Sequence, residues 1–259
     1  GSINASRSRT SAGSRSTAVA AVPVHVGEGS DALGSRLLRA LATSSALRAS
    51  RADECDVLVW LAAADADSRA SRGESALVGL HDALQGCAGV HHVVLVSSAM
   101  VYGSWANNPV PLTEDALLRP DVGFPYARQL GTAEQMVDEW RTATAGRSVR
   151  VLRPAITMAA GGTGRLAGAL AAGLGQRMGE ADPPAQFLHL DDLVSAVMLA
   201  AERRLDGIYN VAPDGWIAGE RVRALAGGVP RVKLPDRLNE VVNSLRWRFQ
   251  RGPIPPGLS

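Results

Sequence analysis

Six short apolar runs, each bounded by polar or turn residues, alternate with helix-periodic stretches, and this pattern limits the fold more than any other feature. The runs lie at 22–26, 56–61, 92–96, 149–152, 186–190 and 208–211. Between them, Leu37, Leu38, Leu41 and Leu47 recur at helical spacing, as do Leu77, Leu80 and Leu84, and then Met136, Val137 and Trp140. Leu166, Leu170 and Leu174 follow, and Leu193, Val194, Val197 and Met198 stand behind Asp191, which reads as an N-cap. Strands that are apolar throughout are buried on both faces, which requires a parallel sheet covered by helices on each side. The expected class is α/β, a doubly wound Rossmann-like sheet.

A composition of 46% hydrophobic and 20% charged residues over 259 positions supports one large core. No apolar run approaches the roughly eighteen residues that cross a bilayer, so a membrane partner is not expected. The first residues lack the apolar stretch of a secretory signal, and Gly1-Ser2 resembles a cloning remnant. Cys55 and Cys87 are too few for a disulfide framework, which points to a reducing cytoplasm. Residues 1–17 have little to bury and are expected as a disordered arm, 18–213 as the Rossmann-like domain, and 214–259 as a small C-terminal segment.

The net charge of +2 hides an asymmetry. Residues 1–51 carry seven Arg against Glu28 and Asp31, a net of +5. Residues 52–220 carry twelve Arg against twenty-one acids, a net of −9. Residues 221–251 carry seven Arg and Lys233 against Asp236 and Glu240, a net of +6. The basic ends lack aromatic interleaving and any nucleic-acid motif, so nucleic acid is not expected as a partner.

In parallel sheets the ligand crevice opens at the carboxyl ends of the strands. The residues there are 27–34, Ala62, Ala63 and Ala64, the segment 97–103, Arg153-Pro154-Ala155, and Asp191-Asp192. This set resembles the extended short-chain dehydrogenase/reductase family, the NAD(P)-dependent epimerases and dehydratases, from about Val22 to Asp214. Ser97-Ser98-Ala99-Met100-Val101-Tyr102-Gly103 is similar to the family's Ser-Ser-x-x-Val-Tyr-Gly segment, and the resemblance makes Ser98 the catalytic hydroxyl. Pro125-Tyr126-Ala127-Arg128 resembles the start of its Tyr-x-x-x-Lys helix, with Tyr126 as the acid–base phenol. Gly27, Gly29, Gly34, Ala62, Ala63 and Pro154 are then the implied cofactor contacts. The resemblance also implies NAD(P), a small-molecule ligand, and a homodimer formed through the helices around Tyr126. It makes 214–259 a reduced remnant of the substrate domain, or a truncated one.

Three departures weaken that implication. The family's lysine lowers the tyrosine pKa, but Tyr126 plus four is Leu130, and Lys233 is the only lysine in the chain. Arg128 lies two positions from Tyr126 and so on roughly the opposite side of a helix. Counted back from Gly34, the family's first two glycines are replaced by Glu28 and Asp31, whose charges repel a pyrophosphate. Only twenty-two positions separate Gly34 from Asp56, which leaves no room for the family's second and third strands beside a helix around 35–48. The first strand is then expected at the sheet edge, in keeping with Pro23.

No metal is expected. Cys87, His91 and His92 are close in sequence, yet no further ligand has metal spacing and His92 begins a buried strand. Asp191 and Asp192 read as a helix cap and its neighbour, Trp60 and Trp140 as core, and Trp105 as a pocket-lining residue. Ser98 and Tyr126 are open to two readings, catalytic groups or relics with ordinary hydrogen bonds. Three functions follow: a non-catalytic ligand- or partner-binding scaffold with NAD(P) weak or lost, an active NAD(P)-dependent epimerase, dehydratase or reductase, and a structural subunit that uses the basic ends.

Overall fold

The computed structural model describes residues 20–27, 32–62, 71–103, 105, 107–121, 125–159, 185–218 and 221. The 1–17 arm, the helix expected around Leu166–Leu174 and most of 214–259 lie outside the described residues. The elements are β1 (Val22–Gly27), α1 (Ala32–Thr43), β2 (Leu47–Ala49), β3 (Val57–Trp60), α2 (Ser71–Gly86), β4 (His92–Val96), α3 (Pro125–Thr142) and β5 (Ser148–Pro154). They continue with β6 (Ile156–Met158), β7 (Phe187–His189), α4 (Leu190–Arg203) and β8 (Gly207–Val211). Six strands form one wholly parallel sheet in the order β2-β1-β3-β4-β5-β8.

Successive strand residues point to opposite faces, and each face has its own helices. Val57, Val59, Val94, Val96 and Leu152 pack with Leu37 and Leu41 of α1 and Leu193 and Val197 of α4. Leu58, Trp60, Val93, Leu95 and Val151 pack with Leu80 and Leu84 of α2 and Val137 and Trp140 of α3. This is the α/β, doubly wound arrangement expected. Trp60 and Trp140 are core residues, also as expected.

The sheet is shortened, but its second strand is present, which corrects the expectation that it is missing. Ser44 ends α1 by accepting from the N–H groups of Ala46 and Leu47, at 3.2 and 3.1 Å. Leu47, read from the sequence as helical, instead starts β2 and pairs with Val22. The chain then enters β3 directly through a short 3-10 turn, Ala52–Glu54, and no strand lies beyond β2 among the described residues. The edge is therefore β2, not β1. Pro23 is tolerated for a different reason. Its carbonyl accepts from Asp56 N–H at 3.0 Å, so its missing N–H faces β3 one residue before that ladder begins at Val24 and Val57.

The run at 186–190 also differs from expectation. Its strand, β7, pairs with β6 in a separate two-stranded sheet. The N-cap of α4 is His189, whose Nδ1 accepts from Asp191 N–H at 3.2 Å, and Asp191 and Asp192 occupy the first helical turn. The acids favour the positive helix end. Asp191 also pairs with Arg36 of α1, joining the starts of two helices that share a face.

His92 opens β4 fully buried, with Nδ1 2.7 Å from Ser148 Oγ on β5. Burial, reinforced by the positive charges of Arg204 and Arg150, pushes its pKa down to about 4 from 6.5. The unfolded chain therefore takes up a proton that the folded one refuses. The stability tied to neutral His92 is complete above about pH 6.5 and is lost as the pH falls towards 4, by roughly 3 kcal/mol at the limit. Chemical denaturation at pH 7 and pH 4.5 is expected to show this fall. A His92→Gln variant is expected to show a smaller one, the difference isolating His92 from titrating carboxylates.

Candidate functional site

The candidate residues converge on the carboxyl ends of β1, β3, β4 and β5. Gly27 ends β1 opposite Trp60, and an added Cβ would collide with the Trp60 ring. Close packing between neighbouring strands is thus sufficient reason for glycine there. Gly34 is buried in the first turn of α1, and Ala62 follows β3. Pro154 is the last residue of β5, opposite Val211. Gly29, Ala63, Glu28 and Asp31 lie outside the described residues.

Ser98 is extended, and its Oγ accepts from Met100 N–H at 3.3 Å, capping a 3-10 turn over Ala99–Tyr102. Gly103 closes that turn at φ +71°, where a Cβ would collide with the Arg119 carbonyl and the Trp105 indole. Trp105 is half-exposed and donates from Nε1 to the Arg119 carbonyl at 2.7 Å, with the Arg119 guanidinium over its ring. It braces the loop that follows the turn rather than standing as a free platform.

Tyr126 is the second residue of α3 and packs, with Ala62, Ala99 and Leu112, on a buried cluster of Val101, Tyr102 and Leu130. Leu130 is only 1% exposed, so the position that holds the family's lysine is an apolar plug. Arg128 is exposed and supplies no substitute within that cluster.

The strongest polar feature was not singled out from the sequence. Glu134 and Arg153 form a buried, bidentate ion pair, Nη2 to Oε2 at 2.6 Å and Nε to Oε1 at 3.1 Å. Ser97 Oγ donates to Glu134 Oε1 at 2.6 Å, and Arg153 Nη1 donates to Tyr102 Oη at 2.7 Å and to the Glu114 carbonyl at 3.1 Å. Tyr102 Oη donates onward to Asn210 Oδ1 at 2.8 Å. Burial opposes the charge on Arg153, but the hydrogen bond and charge of Glu134 win and hold its pKa above the ordinary value. The network joins β4, α3, β5, β8 and the 112–116 loop. It also commits the Arg153 guanidinium to four hydrogen bonds.

A signal for this network existed. Tyr126, Leu130 and Glu134 recur every four residues, so a carboxylate sits on the buried face of α3 and requires a cation from a buried strand. Among the described residues no three His, Cys, Asp or Glu side chains gather as a metal would need. Nor is any described helix long and apolar enough to cross a membrane.

The family model for the NAD dependent epimerase/dehydratase family matches residues 10–212. The chain belongs to that family. Curated relatives include uncharacterized proteins of Mycobacterium bovis and Mycobacterium tuberculosis, each 30% identical over 214 residues, 76% of this chain and 54% of theirs. The chain thus spans about half the length of the curated relatives it matches. Among solved structures, RMD from Pseudomonas aeruginosa, complexed with NADPH, is 20% identical with a TM-score of 0.61, covering 80% of this chain and 82% of that one. The UDP-Glc/GlcNAc 4-epimerase from Campylobacter jejuni is 18% identical with a TM-score of 0.61, covering 82% and 86%. These likenesses establish an epimerase-type Rossmann fold, shortened here at the β2 side.

At the catalytic end of the crevice, buried Leu130 stands four residues after Tyr126, and Arg153 bonds Glu134, Tyr102 Oη and the Glu114 carbonyl. The second strand ends at Ala49-Ser50, where a dinucleotide fold places a carboxylate for the ribose. Ser50's backbone is already occupied, its N–H by the Val24 carbonyl and its carbonyl by His25 Nδ1.

Proposed function

We propose that the chain is an epimerase-like scaffold whose cofactor and catalytic motifs are degenerate, with Leu130 in place of its family's lysine, and that it serves as a non-catalytic binder of a small molecule or a protein partner. The observation that carries this reading is Leu130, buried against Tyr102 beside Tyr126 where the chemistry needs a cation. The three-residue β2, without a terminal carboxylate, supports weak or lost NAD(P) binding. A cytoplasmic location and pairing of two copies through the helices around Tyr126 belong to the same proposal. So do a Rossmann-like unit over 18–213 and a reduced substrate-domain remnant over 214–259. Gly27, Gly34, Ala62 and Pro154 remain the groups that would line the crevice, with Ser98 and Tyr126 as hydrogen-bonding groups.

Isothermal titration with NAD, NADH, NADP and NADPH is expected to show no low-micromolar binding. Saturable binding in that range by any of the four overturns the proposed loss.

A second reading, an active NAD(P)-dependent epimerase, dehydratase or reductase, is favoured by one observation. The presence of β2 restores part of the wall that would face adenosine. Under that reading a turnover exists and Tyr126→Phe abolishes it.

A further inference from the structure

Both cysteines of the chain lie at the amino ends of the strands, away from the crevice, and none of the chemistry above uses them. Cys55 follows the 3-10 turn Ala52–Glu54 and lies two residues before β3, while Cys87 immediately follows α2. Both are free and buried in the same apolar cluster, where Cys55 Sγ donates to the Ala52 carbonyl at 3.2 Å. The backbone around them is held together independently. His91 N–H donates to the Asp56 carbonyl at 3.2 Å, Val90 N–H donates to the Cys87 carbonyl at 3.1 Å, and Gly89 lies against the Cys55 carbonyl. Two thiols buried in one cluster, on backbone segments bonded to one another through His91 and Asp56, are the chain's one candidate pair for a disulfide. The chain has no other cysteine, so no intramolecular mispairing competes.

We propose that Cys55 and Cys87 are a redox-sensitive pair, reduced in a reducing compartment and joined as an intrachain disulfide by a small-molecule disulfide oxidant such as glutathione disulfide. One cysteine thiolate attacks the oxidant, a protein–glutathione disulfide forms, and one glutathione leaves. The second cysteine then attacks the protein sulfur of that mixed disulfide and releases the other glutathione. The two cysteines lose two electrons and two protons, and the oxidant becomes two glutathione thiols. The new bond encloses residues 56–86, 31 positions that include β3 and α2, and so constrains the unfolded chain.

Burial also sets the rate. It pushes Cys55 up to about 12 and raises Cys87, so few thiolates exist in the folded protein and exchange waits for local opening. The crevice at the opposite ends of the strands is untouched by the bond.

The test uses the whole chain held in guanidinium just below its unfolding midpoint with excess glutathione disulfide, then trapped with N-ethylmaleimide and returned to buffer. The expected product is about 2 Da lighter than the dithiol, carries no adduct, and melts roughly 5–10 °C higher than the same protein after dithiothreitol. Cys87→Ser treated alike is expected to show no rise in melting temperature. Two maleimide or two glutathione adducts, a covalent dimer, or a disulfide form that melts no higher than the dithiol overturns the proposal.

Discussion

Replacing Glu134 with alanine is expected to destabilise the protein by roughly 3–5 kcal/mol, read as a lower denaturation midpoint at unchanged slope. The cost comes from what stays behind. Arg153 keeps its charge in a site only 2% exposed and retains only Tyr102 Oη and the Glu114 carbonyl as partners. Ser97, wholly buried, loses its acceptor at the same time. Glu134→Gln keeps the shape and one acceptor and is expected to cost less. A paired Glu134→Leu, Arg153→Met variant removes both charges and is expected to recover much of the loss, because a buried pair exchanged for apolar groups is often close to neutral. If alanine at 134 costs under 1 kcal/mol, the ion pair does not organise this end of the sheet.

Restoring the family's lysine by Leu130→Lys is expected to damage the fold without creating an enzyme. The side chain would enter the cluster of Val101, Tyr102 and Tyr126, where an ammonium loses its water. Glu134 is one turn further along α3, but its oxygens are already taken by Arg153 and Ser97. Burial that lowers the lysine's pKa by some three units costs about 4 kcal/mol of stability at pH 7. Thermal melts would record the loss, and nicotinamide absorbance would be expected to show no hydride transfer. Hydride transfer by the single variant would mean that cofactor and substrate geometry are intact and that only the cation was missing.

Much of the scaffold was legible from the chain alone. Continuous apolar strands such as 92–96 announce burial on both faces, and period-two side-chain alternation then assigns Leu58 and Val59 to opposite helical layers. The order of the segments around Ser98, Tyr126 and Pro154 placed them at one end of the sheet, and the absence of lysine at 130 was visible directly. The second strand was not legible. Leu47 continues the helical spacing of Leu37 and Leu41, and nothing short-range in Leu-Arg-Ala distinguishes a three-residue edge strand from a last helical turn. Ser44 stops the helix, and the free edge of β1 then recruits the residues that follow.

What the sequence determined by itself was the parallel doubly wound class, most of the strands that build it and the leucine, in place of a lysine, at 130. These depend on local pattern and residue identity, which no packing can alter. What only the tertiary structure decided was which polar groups meet. Glu134 and Arg153 are nineteen positions apart, Tyr102 and Asn210 are 108 apart, and Cys55 and Cys87 belong to different connections. Their pairings are set by strand register and helix rotation, quantities that exist only once the two apolar faces have closed on the sheet.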